Sequence, residues 1–416
     1  MLRNILYLFG MQGTNYLLPL IILPYLVRVL GPEQYGRLGF SVAIIQYLIL
    51  LIDFGFNLLS SARIAKNKEN AFIVSKIYSA TIFAKVCISI IVIFITILLT
   101  FFVPKLYDIR WLLAVSVIQI WGAIFTPIWF FQGMEVMKKF AIITVIARFI
   151  SLPLIFVFVK KPSDVLIAAF LQSCVFAISG VIAFILIRQM GVRLVKIKLS
   201  TISSYLKRSS GIFVGTVAIS LYTLSTAVIL GLVASNYDVG IFNAADKIRA
   251  ALLGVFVMLG SVFYPRINNL WKFNRNGAYD ILRKIIIFQS LASLLLMVLF
   301  YFSVPLIVRY YLGEQYYDCI RLLKVMAPMI VLVPASIIMS NYILLPFGYR
   351  KFFSYIPVIT AFMHFFYAFY LSKNYGAYGA CIAILLTELI SFMILLVVNL
   401  KLHTFKYIFG FEYEPR

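Results

Sequence analysis

Charge is what this chain has least of. Only 12% of its 416 residues are charged and 63% are hydrophobic, against roughly 25% charged in an ordinary soluble domain. A water-soluble globular protein of this length is thereby excluded. Acidic residues are scarcer still, 14 against 37 Lys and Arg. The only histidines, His364 and His403, leave little for a His-based metal site. Cys87, Cys174, Cys319 and Cys381 stand apart with no Cys-x-x-Cys pair, so they read as small apolar packing residues. There is no His-Glu-x-x-His, no carboxylate pair in a soluble loop and no Ser/His/Asp set on loops, so no catalytic residues are assigned. The net charge of +23 invites a nucleic-acid reading. The basic residues, however, punctuate the gaps between apolar runs instead of gathering on one polar face, which excludes nucleic acid as a partner.

What is present is a succession of long apolar runs. At roughly 20 residues per span, the length accommodates about twelve transmembrane helices and little else. The runs predict helices near 5–30, 39–62, 77–103, 111–131, 140–159, 164–188, 211–234, 244–265, 285–308, 322–346, 354–372 and 377–400. The first run is too long for the apolar region of a cleavable signal peptide. With a cytoplasmic N-terminus, inner segments hold about 23 basic residues and outer loops about 8, so the positive-inside rule puts both termini in the cytoplasm of a multi-pass inner-membrane protein.

The longest connection divides the chain into an N-terminal lobe (1–188), a basic amphipathic cytoplasmic linker (189–210) and a C-terminal lobe (211–416). Its run Arg193-Leu194-Val195-Lys196-Ile197-Lys198 interleaves cations with apolar residues, a pattern attracted to anionic headgroups of membrane lipids. The halves echo each other: Tyr35-Gly36 against Val239-Gly240, and Phe131-Gln132-Gly133 with Lys138-Lys139 against Phe347-Gly348 with Arg350-Lys351. Two six-helix repeats in one orientation are a common plan for alternating-access transporters. The expected fold class is therefore an all-α membrane protein of about twelve helices in two pseudo-symmetric six-helix lobes.

Three segments carry a family resemblance: Tyr25-Leu26-Val27-Arg28-Val29-Leu30-Gly31-Pro32-Glu33-Gln34-Tyr35-Gly36, Pro127-Ile128-Trp129-Phe130-Phe131-Gln132-Gly133-Met134-Glu135, and Tyr264-Pro265-Arg266. They resemble the Wzx-type O-antigen and polysaccharide flippases of the multidrug/oligosaccharidyl-lipid/polysaccharide (MOP) exporter superfamily. The resemblance implies a V-shaped pair of bundles, as in the multidrug (MATE) exporters, around a cationic cavity. It also implies an undecaprenyl-pyrophosphate-linked oligosaccharide as substrate, with a polysaccharide polymerase and a chain-length regulator as candidate partners.

Ionisable groups at bilayer depth need a partner or a wet cavity, because each costs roughly 2.5–3.5 kcal/mol on insertion scales. Candidate ligands for a pyrophosphate and its sugar are Arg148, Lys247, Arg249, Lys85, Arg28, Asn15, Gln12 and Asn57; Arg would bind phosphate in a forked geometry and Lys as a point charge. Arg28 and Lys324 also read as cations snorkelling to the outer surface, and His364 as a packed, hydrogen-bonded residue. Asp53, Asp246 and Glu388 are either structural partners of nearby cations or ion-coupling groups, with H+ or Na+ as the coupling ion. No cofactor or metal is expected. Rival readings are a multidrug exporter, a peptidoglycan-precursor flippase and a membrane-embedded polysaccharide polymerase. The intramembrane excess of cations disfavours the first, and the short outer loops disfavour the last.

Overall fold

Apolar runs without water must satisfy every backbone group internally, so each becomes a helix, and the computed structural model contains no strand among the described residues. It describes the backbone of residues 2–410, and the side chains of 18–410 except 199, 211–212, 214–223 and 261. The first helical stretch, Leu2–Asp53, breaks at Gly31 (φ 69°, ψ 169°), giving α1 (2–30) and the start of α2 (32–53). After a second break at Phe54 (φ 38°) and Gly55 (φ 73°), α2 resumes as Phe56–Lys66. Then come α3 (Ala71–Phe102), α4 (Arg110–Phe125 and Ile128–Gly133), α5 (Met137–Phe158), α6 (Val165–Gln189) and α7 (Leu199–Val233). The remainder is α8 (Asn236–Phe273), α9 (Arg275–Ile307), α10 (from Cys319 to Leu344), and Arg350–Lys401, which Gly376 (φ 54°) splits into α11 (350–375) and α12 (377–401). Among the described residues, nine stretches are long and apolar enough to span a membrane. Two of them hold a glycine break and count twice, and α7 adds another, which makes twelve helices.

The structure differs from the sequence reading in two places. No loop separates α1 from α2, because Pro32 and Glu33 start a helix directly after Gly31: proline has no amide to lose there and the acid meets the positive end of the helix dipole. Residues 192–198 belong to no helix or strand, and α7 already begins at Leu199, where the apolar run suggested 211. By proximity the chain divides into two compact units, Val29–Leu232 and Met1–Arg28 with Val233–Arg416, so α1 groups with α8–α12 and most of α7 with α2–α6.

Within Val29–Leu232, α4 and α6 approach most closely at glycines. A Cβ on Gly122 would stand 2.4 Å from the Phe176 backbone, so only hydrogen fits. Trp129, Phe130 and Phe131 are buried; Trp129 and Phe130 pack against Tyr78, and Phe131 edge-on against Phe130, while Gly133 abuts Ile64 and the Ser61 carbonyl. The tryptophan segment of the family resemblance is thus a packing joint between α2, α3 and α4. Within the other unit, Ile267, Leu282, Ile285, Ile338, Tyr342, Ile343 and Ile408 form one core, and the Arg283 guanidinium donates to the Ile408 carbonyl.

Candidate functional site

The break in α2 sets the first polar cluster. A helix ending at Asp53 leaves carbonyls unpaired and presents the negative end of its dipole, in a segment flanked on both sides by apolar helix. The Ser209 hydroxyl donates to the Phe54 carbonyl, and Phe54 stacks on Phe213 with ring centres 4.4 Å apart. Charge is met by Lys85 on α3: its ammonium, in a side chain only 3% exposed, lies 2.5 Å from Asp53 Oδ1. Asn57 Nδ2 donates to the other Asp53 oxygen at 3.2 Å, across the break at Phe54 and Gly55. Because α3 begins at Ala71 and not near 77, Lys85 lies about four turns into the helix. Arg148 is half-buried on α5, below the kink residue Pro153.

The second cluster belongs to the unit of α1 and α8–α12. Asp246 and Arg249 pair along one face of α8: Arg249 Nε and Nη2 both donate to Asp246 Oδ1, at 2.9 and 2.6 Å. Glu388 and Cys381 of α12 lie within electrostatic range of Arg249. One residue from Glu388, Thr387 joins α12 to α11. Its hydroxyl donates to the Ala383 carbonyl at 2.8 Å, so its lone pairs accept from Tyr367 Oη–H at 2.5 Å and from His364 Nδ1–H at 2.6 Å. His364 is 1% exposed and is a packed, hydrogen-bonded residue. Lys247 is exposed and points away from the Asp246–Arg249 side chains by its place on the helix.

Arg28 lies apart from both clusters. Its guanidinium donates to the Tyr310 carbonyl and passes 3.5 Å from the Cβ position of Gly313, tying α1 to the turn that follows α9. Lys324 sits over the Tyr301 ring, 5.1 Å from its centre. Gln12 and Asn15 lie outside the residues whose side chains are described. The structure therefore gathers Asp53, Asn57 and Lys85 in one unit and Asp246, Arg249 and Glu388 in the other. Sequence reading missed Thr387 and Tyr367, whose weakly polar side chains look like ordinary helix residues until their shared hydrogen bonds are seen.

This arrangement supplies carboxylates, hydroxyls and guanidinium groups inside a lipid-embedded helical fold, with no nucleophile activated by a neighbouring base among the described residues. Known proteins share both the sequence and the fold. The family described as "Polysaccharide biosynthesis protein" matches residues 1–271. A "Putative O-antigen transporter" of Escherichia coli (strain K12) is 33% identical over 403 residues, covering 96% of this chain and 97% of the relative. In fold, the lipid II flippase MurJ in an inward closed conformation superposes with a TM-score of 0.73 at 16% identity, over 98% of this chain and 93% of that one. An inward-facing multidrug resistance MATE family transporter of the MOP superfamily gives 0.68 at 14% identity, over 95% and 97%. The chain belongs to the polysaccharide biosynthesis protein family, on the helical fold of the MOP exporters.

Proposed function

We propose that this protein is a flippase that carries an oligosaccharide on undecaprenyl pyrophosphate from the cytoplasmic to the outer leaflet of the inner membrane, with both its termini in the cytoplasm. The observation that carries the reading is the identity to an O-antigen transporter along nearly the whole of both chains. The intramembrane side chains give it a physical basis. A pyrophosphate bears about two negative charges, and charge-assisted donors must replace its lost water. Arg148, Lys247 and Arg249 are the groups assigned to that role, with Lys85 held by Asp53. The polyprenyl tail stays in lipid, since no enclosure is needed for hydrocarbon that is already solvated by it. The relatives are transporters by name, and we assign no covalent chemistry.

In cells lacking their own flippase, the wild-type chain should restore surface polysaccharide, whereas Arg148→Gln and Lys247→Gln should not, at equal membrane abundance. Restoration by both variants would remove these cations from the mechanism. Asp246 and Glu388 flanking Arg249 are the groups proposed to take up H+ or Na+ during the cycle. Proteoliposomes with and without an imposed gradient of each ion test this, and equal flipping rates under all conditions would refute it.

A further inference from the structure

The linker between α6 and α7 is fastened to α3 through its backbone. The Arg193 amide donates to Ser75 Oγ at 3.1 Å and the Val195 amide to Ser79 Oγ at 2.9 Å, so alternate linker residues are pinned to serines one turn apart on α3. Ile197 turns inward onto Phe56, Ala80, Ala84 and Tyr205. Lys196 and Lys198 on either side of it are exposed.

They line a cavity of about 540 Å³ together with Arg63, Lys76, Asn67 and Thr201, and no acidic residue lines it. The Arg63 guanidinium lies 4.6 Å over the Tyr205 ring and the Lys76 ammonium 4.4 Å over Phe72. None of the described ion pairs engages any of these four cations. Four like charges around one hollow repel one another, and a strong oxygen-rich anion is what offsets that repulsion.

The surroundings identify where the anion comes from. Lys76 stands on a stripe of α3 with Ile73, Phe83, Ile90 and Phe94, all exposed. Steps of three, seven, seven and four keep these on one helical face. The cavity therefore continues into an apolar track running the length of a transmembrane helix, which suits acyl chains and not a soluble ion. Its size is in the range of small-ligand sites, so a headgroup fits while a folded partner does not.

We infer that this cavity binds the phosphate of an anionic glycerolipid of the cytoplasmic leaflet, fastening the linker to the membrane beside α3. The leaflet rests on the sidedness proposed above; the binding does not.

The test uses the full chain in neutral detergent and reads the melting temperature against added phosphatidylglycerol, phosphatidylcholine or inorganic phosphate. Phosphatidylglycerol alone should raise it. The variant Lys76→Gln, Lys196→Gln, Lys198→Gln should need on the order of a hundredfold more of that lipid for the same rise, since each cation near the bilayer surface contributes roughly a factor of five. Lys198→Glu alone, at an exposed position, gives a second reading and should also weaken the response. An unchanged response in both variants, or an equal rise with phosphatidylcholine, would overturn the site. An equal rise with inorganic phosphate would make it a soluble-anion site and overturn the lipid. The leaflet is read separately: a membrane-impermeant thiol reagent should label Ser200→Cys above the parent's background in inverted vesicles but not in intact cells, and the opposite pattern would overturn the leaflet while leaving the binding result standing.

Discussion

Removing Asp53 should harm the protein more than removing Asp53 and Lys85 together. Lys85 is 2% exposed and its ammonium has its carboxylate partner at 2.5 Å. In Asp53→Ala that charge is stranded between apolar helices, and breaking a buried pair from one side costs about 3–5 kcal/mol. Lys85→Met leaves the other ion, but the Asp53 side chain is 32% exposed and keeps its Asn57 donor. That loss should be nearer 1–3 kcal/mol, the usual cost of an incompletely satisfied polar group. Replacing both by apolar residues removes both desolvation costs along with the attraction, and such exchanges are often close to neutral. A double-mutant cycle should therefore return a coupling of about 4–8 kcal/mol, read as melting in detergent by size-exclusion recovery, with Asp53→Ala the lowest of the four proteins. Polysaccharide export adds a second axis. If Lys85 serves to neutralise Asp53, the double variant recovers export with its stability; if Lys85 grips phosphate, the double variant is stable and inactive. Additive losses, or an Asp53→Ala protein as stable as wild type, would refute the pairing argument.

Three further outcomes follow from geometry. Gly122→Ala should lower the melting temperature markedly, because its Cβ would lie 2.4 Å from the Phe176 backbone and overpacking costs about 1–3 kcal/mol even where side chains can yield; a melting curve matching wild type would count against the α4–α6 packing. Asp238 accepts from the Ala377 amide at the start of α12 and, at 3.4 Å, from the Ser235 amide at the start of α8, so Asp238→Ala should cost about 1–2 kcal/mol through lost capping, with faster amide exchange at both helix starts. Asp164 accepts from the Lys160 and Lys161 amides, and the Lys160 amide above all holds its carboxyl below the usual range; a depressed carboxylate stabilises above its unfolded value and loses that contribution as pH falls through the folded one, so protection of the 160–165 amides, measured against their intrinsic exchange rates, should fall on acidification, and Asp164→Asn should remove that pH dependence.

How much could be read from the residues depended on whether the signal was local. Each apolar run announced its helix, and Asp246–Arg249 was legible because a three-residue step places both on one face. The α1–α2 junction misled because Gly-Pro-Glu-Gln reads as a polar loop, while its proline and acid are equally the residues that open a helix. Lys85 with Asp53, 32 positions apart, and Arg28 with Tyr310, 282 apart, depend on which helices become neighbours, and nothing in local spacing fixes that. The linker pocket was half legible. Its cations were visible as a topology signal, but the serine pegs at Ser75 and Ser79 that turn them to one side have no charge and no periodicity to mark them.

Which intramembrane cations remain available to a phosphate can be argued from donor geometry. Lys85 has three N–H donors, yet its side chain is 3% exposed and turned to Asp53, so a ligand reaching it must first open α2 and α3. Arg249 spends Nε and Nη2 on a single oxygen of Asp246. A guanidinium has five N–H groups in a rigid fork, so three remain, on a side chain that is 17% exposed. Arg249 can therefore hold its carboxylate and a phosphate oxygen together, and binding there need not break the α8 pair. On these grounds Arg249 ranks ahead of Lys85 as a substrate contact. Arg249→Lys separates the two roles: a lysine keeps the charge for Asp246 but loses the fork, so export should fall while the melting temperature holds. Unchanged export in that variant would return Arg249 to a purely structural part.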